Sequence, residues 1–334
     1  MNIYDIAKLS GVSIATVSRV VNGSDKVSPK TKQKVLDVIR EEQYTPNVFA
    51  RGLGLDSMNT VGIICPDVAD AYMAKCVAIL EGKLHEYNYD CILFCSGRGE
   101  EEKKKYTELI LSKRIDALIM VGSAYAGHGE DSRETDYIRK AAQQVPVFII
   151  NGYVKGENIY CSYCDDRQAA YDAVSALIRR GKEKILFLSD SHSVSANLKM
   201  KGYEDALRDA GYPVRGELKV YTRNHIHTVR DLLLGSRNLE FDAVLATDDG
   251  MAVGAIKYAI SSGRSIPEEI SVVGFNNSNL AICCEPELTS IDNKSETLCY
   301  DTIDNLMKVL QGEADVPQKN EIKCSIVTRC TTDF

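Results

Sequence analysis

The sequence predicts an α/β protein in which a small all-α head precedes a larger, two-lobed part built on doubly wound parallel sheets. Three observations favour this fold class. The first 45 residues carry apolar side chains at helical spacing, separated by turn and capping residues. From residue 60 onward, short strand patterns alternate with helical stretches of about 10–18 residues, which is typical of βαβ units. At 334 residues the chain also exceeds one compact domain.

The head is predicted to consist of three short helices, of which the first spans residues 4–9. Its buried set is Ile3, Ile6, Ala7 and Leu9. Gly11 favours a tight turn because glycine tolerates positive φ, and Ser13 is placed to cap the second helix. That helix ends at Asn22 and Gly23, since glycine is a common helix stop.

A third helix and a linker complete the N-terminal region. Ser28 and Pro29 begin the helix, because serine caps helices and proline suits the first turn. Its core face is formed by Val35, Val38 and Ile39. Residues 48–56 contain Gly52 and Gly54, each of which costs about 1 kcal/mol against alanine in a helix. Such a segment is barely helical alone, so we interpret it as a linker that orders on contact with its binding partners.

Strand patterns recur through the rest of the chain. They cover residues 61–65, 91–95, 117–121, 145–150, 185–188, 243–246, 270–275 and 325–329. Helical stretches separate most of them, so parallel sheets are predicted. The roughly 270 residues after the head exceed one compact unit, which predicts two doubly wound halves.

Charge and cysteine content narrow the class of protein. Residues 1–60 hold eight Lys or Arg and six Asp or Glu, so this head carries +2 and the remainder −9 of the formal net charge of −7. A mildly basic head on an acidic body suits a protein whose head alone meets phosphates. Eleven cysteines without a signal sequence predict free thiols in small apolar sites. No cysteine or histidine spacing predicts a metal site.

The sequence also indicates where the protein works and what it lacks. No apolar run approaches the roughly 18–20 residues that span a bilayer, and the N-terminus does not resemble a secretory signal. We therefore expect a cytoplasmic protein without a membrane partner. Residues 122–128 begin like a phosphate loop but lack its Gly-Lys-Ser/Thr ending. With no histidine in a catalytic context, we predict that the chain is not an enzyme and needs no cofactor.

Ordered motifs along the whole chain carry a resemblance to a known family. They are Ile3-Tyr4-Asp5-Ile6-Ala7, Gly11-Val12-Ser13, Ala15-Thr16-Val17-Ser18-Arg19-Val20-Val21-Asn22-Gly23, Tyr44-Thr45-Pro46-Asn47, Ala50-Arg51-Gly52-Leu53, Pro66-Asp67, Gly202-Tyr203, Asp248-Asp249-Gly250-Met251-Ala252-Val253-Gly254 and Ile270-Ser271-Val272-Val273-Gly274-Phe275. With these motifs the sequence strongly resembles the lactose-repressor family of bacterial transcriptional regulators. About twenty ordered matches in the first fifty positions are more than any helix-turn-helix shows by chance.

The resemblance implies three domains. They are a helix-turn-helix DNA-binding domain over residues 1–46, a hinge helix or linker over 47–57, and a ligand-sensing, dimerising domain similar to periplasmic binding proteins over 58–334. It further implies an N-lobe of about 58–162 and 291–322 and a C-lobe of about 163–290 and 323–334. The effector is expected in the cleft between the lobes, beyond the carboxyl ends of the strands.

The resemblance also implies which head residues meet DNA. Base-reading positions fall on Ile14, Ala15 and Arg19, and arginine can read guanine O6 and N7 through two hydrogen bonds. The implied phosphate contacts are Tyr4, Ser13, Thr16, Ser18 and Asn22. This agrees with the residues themselves, because Val17, Val20 and Val21 are predicted to face inward and leave the opposite side of the helix free.

In the linker, the resemblance implies DNA contacts for Asn47, Arg51 and Leu53. The family inserts a leucine into the minor groove at the position of Leu53, where wedging kinks the duplex at a cost of a few kcal/mol recovered through added contacts. The alternative is that Leu53 covers the linker against the sensor domain. Gly54 departs from the alanine usual there, which lowers the expected stability of the linker helix.

Effector-binding positions implied by the resemblance are Asp67, Asp70, Tyr72, Asn151, Lys199, Asp248 and Asn276. Three of these regions depart from the family pattern. Residues 69–73 read Ala-Asp-Ala-Tyr-Met where a polar-Asn-Pro-Phe-Phe run is usual. Lys199 replaces a common arginine, and Asn276 replaces a common aspartate. Because lysine is a point charge and lacks the planar fork of arginine, the first replacement is not neutral.

Partners follow from the same reasoning. We expect a repressor that binds a near-palindromic operator in double-stranded DNA as a homodimer, controlled by a sugar or related metabolite in the cleft. Lys199 and Lys201 leave open a catabolite-control type of regulator, whose partner is a phosphocarrier protein. A ligand-binding protein without DNA function is a third reading, but it does not account for the first fifty residues.

Overall fold

The computed structural model describes residues 1–21, 26–44, 57–127, 133–236 and 238–334. It divides into two compact units, Met1–Thr60 and Val61–Phe334. The domain boundary predicted at residue 46 falls within the segment 45–56, which lies outside the described residues, and the boundary predicted at residue 57 adjoins that segment.

The described part of the first unit contains three helices: α1 (Ile3–Ser10), α2 (Ile14–Val21) and α3 (Pro29–Glu41). Asn2 caps α1 through the backbone N–H groups of Tyr4 and Asp5, and Gly11 ends it with a φ of 62°. Ser28 caps α3 and Pro29 opens it, as predicted. These helices pack around a small core of Ile6, Ala7, Val17, Val20 and Val35.

One predicted core residue of the head is wrong. Leu9 is 53% exposed, whereas Ile6 and Ala7 are buried and Ile3 is partly buried. On a helix, the inward stripe that contains Ile3, Ile6 and Ala7 continues at Ser10, which is fully buried and donates its hydroxyl to the carbonyl of Ile6. The 3.6-residue period therefore places Ser10 in the core in place of Leu9.

The second unit contains two lobes, each formed by a six-stranded sheet with helices on both faces. The N-lobe holds β1 (Thr60–Cys65), α4 (Ala71–Glu86), β2 (Asp90–Cys95), α5 (Glu100–Leu111), β3 (Ala117–Val121), α6 (Asp136–Ala142), β4 (Val147–Ile150), β5 (Ile159–Cys164), α12 (Ser295–Leu310) and β11 (Lys319–Ile322). One face of its sheet packs against α4 and α12, and the other face packs against α5 and α6.

The C-lobe holds α7 (Asp166–Arg179), β6 (Ile185–Ser189), α8 (Val194–Asp209), β7 (Lys219–Tyr221), α9 (Ile226–Gly235), β8 (Ala243–Ala246), α10 (Asp249–Ser261), β9 (Ser271–Phe275), α11 (Asn279–Cys283), β10 (Thr289–Asp292) and β12 (Ser325–Val327). Its sheet is covered by α7 and α8 on one face and by α9 and α10 on the other. Gly202 of α8 is required for this packing, since a Cβ there would lie 2.0 Å from the carbonyl oxygen of Arg167 on α7.

Strand order confirms the doubly wound fold class. It is β11-β5-β4-β3-β1-β2 in the N-lobe and β12-β10-β9-β8-β6-β7 in the C-lobe. The described pairings are parallel except for β12, which runs antiparallel to β10. This exception follows from the path of the chain, because β11 ends at the cleft and the next strand must run away from it into the C-lobe.

Four strands were not predicted from the sequence: β5, β7, β10 and β11. Two of them lack an apolar run, since β11 reads Lys319-Asn-Glu-Ile322 and β10 reads Thr289-Ser-Ile-Asp292. β7 has only three residues. In each case the position beside an existing strand decides the conformation, so tertiary context outweighs the local signal.

The chain passes between the lobes three times: between β5 and α7, between β10 and α12, and between β11 and β12. The parallel strands of both sheets end on the side where these crossings lie. The carboxyl ends of the strands, and the N-termini of the helices that follow them, therefore line the cleft between the lobes.

Candidate functional site

The outer face of α2 carries the base-reading positions predicted for the head. Ile14 is 41% exposed, and Ala15 and Arg19 are exposed as well. Val17 and Val20 on the same helix are buried in the head core. The helix thus presents an arginine and two small or apolar side chains outward, and this is the combination that reads guanine edges and thymine methyl groups in a major groove.

The polar residues around α2 have mixed environments. Tyr4 on α1 is 66% exposed, and Ser13 is exposed. Ser13 accepts the backbone N–H of Thr16 at 3.1 Å, so it caps α2 as predicted. Thr16 and Ser18 are half-buried. The remaining predicted DNA contacts, Asn22, Asn47, Arg51 and Leu53, lie outside the described residues.

The cleft between the lobes brings together six of the seven predicted effector-binding residues. Asp70, Tyr72, Asn151, Lys199, Asp248 and Asn276 line one cavity. This inner cavity has a volume of about 90 Å³ and opens to solvent between the lobes. Asp67 lies apart from this group and lines an outer cavity that shares Asp70 and Asp248 with the inner one.

Asp248 is an acid of the inner cavity whose pKa is raised by its environment. Its Oδ1 accepts the backbone N–H of Gly250 at 2.7 Å, which makes it the cap of α10, and its Oδ2 accepts the Asn276 side chain at 2.9 Å. Burial raises the pKa of Asp248 to about 6, although hydrogen bonds from Asn224 and Gly250 oppose the rise and the charge of Asp70 adds to it. A buried carboxylate of this kind gains from a ligand that donates hydrogen bonds.

Lys199 has a less direct role than the family's arginine would have. It is only 6% exposed, although it lines the inner cavity. Its Nζ donates to the carbonyl oxygen of Thr247 at 3.2 Å and lies 3.6 Å from the centre of the Phe275 ring. Burial raises the pKa of the neighbouring Asp166 carboxyl, and the charge of Lys199 opposes this rise. The protein itself therefore already satisfies much of the Lys199 charge.

The two N-lobe residues of the cleft differ in what they offer a ligand. Tyr72 lines the cavity, but its hydroxyl is buried without a nitrogen or oxygen partner and lies near the thiols of Cys76 and Cys299. Asn151 follows β4 in a left-handed conformation with a φ of 62°, a backbone region that asparagine tolerates better than most residues. Of the two, only Asn151 can offer a hydrogen bond from its side chain into the cavity.

Sequence reasoning missed several cleft residues. Arg98 follows β2 in the N-lobe and Asp190 follows β6 in the C-lobe, and their side chains form an ion pair across the cleft at 3.1 Å. Asn224 and Ser195 also line the inner cavity. The available signal was their position directly after strands β2, β6 and β7 or at the start of α8, since polar residues there face the cleft of an α/β protein.

No described helix is long and apolar enough to cross a membrane. Within those same residues, no group of three or more His, Cys, Asp or Glu side chains could hold a metal ion.

Comparisons with known proteins give matches for both the helical head and the two-lobed part of the chain. Residues 2–47 match the bacterial regulatory proteins of the lacI family, and residues 58–330 match the periplasmic binding proteins and sugar binding domain of the LacI family. An HTH-type transcriptional regulator of Lachnoclostridium phytofermentans is 49% identical over 336 residues, covering 100% of each chain. Catabolite control protein A of Priestia megaterium is 34% identical over 298 residues, 87% of each chain.

A solved structure extends the match to the whole fold. The Lac repressor dimer bound to operator and the anti-inducer ONPF is 26% identical, with a TM-score of 0.86 over 99% of this chain and 98% of that chain. The resemblance and the fold class predicted from the sequence are therefore confirmed.

Proposed function

Because this chain belongs to the LacI family of bacterial regulatory proteins, we propose that it represses transcription as a homodimer whose affinity for its operator depends on a sugar or related metabolite in the cleft. The chain is a DNA-binding transcriptional regulator with a sensor domain, in a family of regulators and not of enzymes. It acts in the cytoplasm, where operator DNA is accessible.

The observation that carries the DNA-binding part is the exposed face of α2. Arg19 is exposed there while Val17 and Val20 hold the same helix in the head core. In a two-fold dimer, two such helices enter major grooves one helical turn apart, so the preferred site is near-palindromic. Asn47, Arg51 and Leu53 belong to this proposal as linker contacts, with Leu53 as the minor-groove wedge.

The observation that carries the effector part is the cleft itself. Its lining comes from both lobes, with Asp70 and Asn151 from the N-lobe and Lys199, Asp248 and Asn276 from the C-lobe. A ligand that bridges these groups favours one arrangement of the lobes over another. Since ligand and operator then bias the same equilibrium, each changes the affinity for the other by the same factor.

The experiment selects DNA from a randomised duplex library with the full-length chain. Enrichment of a near-palindromic sequence, bound by two copies of the chain, is the expected result. Operator affinity is then measured against a panel of sugars and related metabolites, where at least one compound should change the affinity about 5- to 150-fold. The proposal is contradicted if no sequence is enriched, or if every compound that stabilises the protein leaves operator affinity unchanged.

The alternative is a protein co-regulator, which the similarity to catabolite control protein A favours. A phosphocarrier protein would need an exposed cationic patch to meet its phosphate. The pair Lys199 and Lys201 does not form such a patch, because Lys199 is buried and only Lys201 is exposed. We therefore place the small-molecule effector ahead of the phosphocarrier.

A further inference from the structure

Three helices begin at the inner cavity, and their N-termini set its electrostatic character. Asp70 caps α4, Ser193 caps α8 and Asp248 caps α10, and all three capping residues line the cavity. A free helix N-terminus attracts anions, because its first N–H groups lack partners and the helix dipole is positive there. A site with three free N-termini would therefore suit a phosphate.

Two of these N-termini are already occupied by carboxylates of the chain itself. Asp70 Oδ1 accepts the N–H groups of Tyr72 at 2.9 Å and Met73 at 3.1 Å. Asp248 Oδ1 accepts the N–H of Gly250 at 2.7 Å. An incoming phosphate would thus find the donors of α4 and α10 in use, with negative charge in front of them.

The cations of the inner cavity do not offset these carboxylates. Its lining contains Arg98 and Lys199 against Asp70, Asp190 and Asp248. Arg98 is paired with Asp190 across the cleft, and Lys199 donates to the backbone carbonyl of Thr247. In the outer cavity the further cation, Arg223, is accompanied by the carboxylate of Asp67.

We infer that the effector of this cleft is a hydroxyl-rich molecule without phosphate or carboxylate groups, whose hydroxyl or ammonium hydrogens are donated to Asp70 and Asp248. This inference rests on the proposed function, because it assumes that the cleft is the effector site. It narrows a sugar or sugar-derived metabolite to its unphosphorylated forms. A phosphate group would place roughly two negative charges beside three carboxylates. The carboxylates would therefore repel the phosphate.

A row of amides fixes Asp248 for this role. The Asn293 side chain donates to Asn276 Oδ1 at 2.9 Å, and the Asn276 side chain donates to Asp248 Oδ2 at 2.9 Å. Asn293 is 2% exposed, and its own Oδ1 has no partner among the described residues. If the side-chain amides of Asn276 and Asn293 are both flipped, an asparagine at position 248 can donate to Asn276 Oδ1. The side-chain nitrogen of Asn276 can then donate to Asn293 Oδ1.

The structure therefore permits a variant that removes the negative charge and keeps the fold. Asn is as good a helix cap as Asp, so Asp70→Asn with Asp248→Asn retains the starts of α4 and α10. Asp165→Asn is the matched control. Asp165 also caps a helix, accepting the N–H of Gln168 at 2.9 Å, but it does not line the inner cavity.

The first test uses inorganic phosphate as the probe. Thermal unfolding of the full chain, of the double variant and of the control is compared in 20 mM phosphate and in chloride of equal ionic strength at pH 8. General salting-out raises the melting temperature of all three alike, so only the difference between variants counts. The double variant should gain about 3 °C more from phosphate than the other two proteins. Equal gains in all three, or a saturable gain in the unaltered chain, would overturn the inference.

The second test uses matched sugars on the unaltered chain: glucose, glucosamine and glucose 6-phosphate, then the same sets for other monosaccharides. Neutral or amino forms should stabilise the protein in at least one set, and the phosphorylated member should not. Stronger stabilisation by a phosphorylated sugar would overturn the inference. If that sugar also changed operator affinity, the proposed function would stand, so the two failures are distinguishable.

Discussion

In the head, the side chains proposed to read bases stand on the outer face of one helix, whereas in the cleft most side chains proposed to bind the effector are already bonded to the protein. Arg19 and Ala15 are exposed on α2. Asp248 is bonded to Gly250 and Asn276, and Lys199 is bonded to Thr247. The head can therefore read a partner without rearrangement, while the cleft must exchange internal hydrogen bonds for bonds to its ligand.

This contrast suggests how the two regions divide the work. Exposed side chains on a rigid helix contribute affinity and sequence preference directly. Side chains held by internal bonds respond to small differences in ligand charge and geometry, because a buried polar group left without a partner is costly. A regulator needs the first property at its DNA surface and the second at its sensor.

The largest expected effect comes from replacing Arg19 on the exposed face of α2. Arg19→Ala should weaken operator binding by about 1–3 kcal/mol and relax the preference at one base pair, because a two-bond contact to guanine is lost. Binding curves for the selected operator and its single-base variants measure both quantities. Arg40→Ala is the matched control, since Arg40 is 77% exposed on α3 and pairs with Asp37 at 3.6 Å. Equal weakening on every sequence would identify Arg19 as a phosphate contact.

How far the sequence predicts the two regions follows from the same contrast. Ile14, Ala15 and Arg19 were assigned from helical periodicity and family resemblance, and the structure places all three on the exposed face of α2. Such a face depends on neighbours within a few residues, so local rules suffice. Leu9 shows the limit of such local rules. It was predicted to be buried because it is apolar, but the buried position of that helix turn is occupied by Ser10.

The cleft depends on residues far apart in the chain, and prediction there was less complete. Asp248 and Asn276 were found through family positions, but the pairing of Arg98 with Asp190 spans 92 positions, so no local pattern indicates that these two residues form an ion pair. The buried state of Lys199 was also not predictable, since a lysine on an amphipathic helix is normally solvated. Lys199 is held in part by the ring of Phe275, which lies on a strand 76 positions further along the chain.

The second prediction concerns the buried Asp248 carboxyl and how the free energy of unfolding depends on pH. Burial raises the pKa of Asp248 to about 6, and the charges of Asp70 and Asp249 add to this rise. A raised pKa means that the folded state holds the proton more tightly than the unfolded state does. The resulting stability is present below the unfolded pKa of about 3.9 and is lost as pH rises through about 6.

Asp248→Asn should therefore gain stability relative to the unaltered chain as pH rises, by about 2 kcal/mol between pH 4 and pH 8. Chemical denaturation of both proteins across this range measures the difference. A difference that does not change with pH would show that Asp248 titrates normally in the fold.

The third prediction tests the ion pair that crosses the cleft. Arg98 is 55% exposed and Asp190 is 18% exposed, so solvent and salt screen their attraction. Arg98→Met should lower the free energy of unfolding by no more than about 1 kcal/mol, and added salt should reduce the difference. Lys184→Met is the control, because Lys184 pairs with Glu240 inside the C-lobe. A salt-independent loss of several kcal/mol would contradict the screened pair.

The smallest expected effect belongs to Tyr72, which lines the cleft but turns its hydroxyl into the core. That hydroxyl has no nitrogen or oxygen partner, so Tyr72→Phe should change the free energy of unfolding by less than about 1 kcal/mol and leave ligand affinity unchanged. Tyr125→Phe is the contrasting variant, since the buried Tyr125 hydroxyl is bonded to Ser96 at 2.7 Å and its removal takes away one of the two partners of the Ser96 hydroxyl, which also donates to the carbonyl of Gly97. It should cost about 1–3 kcal/mol. A loss of ligand affinity in Tyr72→Phe would place that hydroxyl in the cleft and make Tyr72 a direct effector contact.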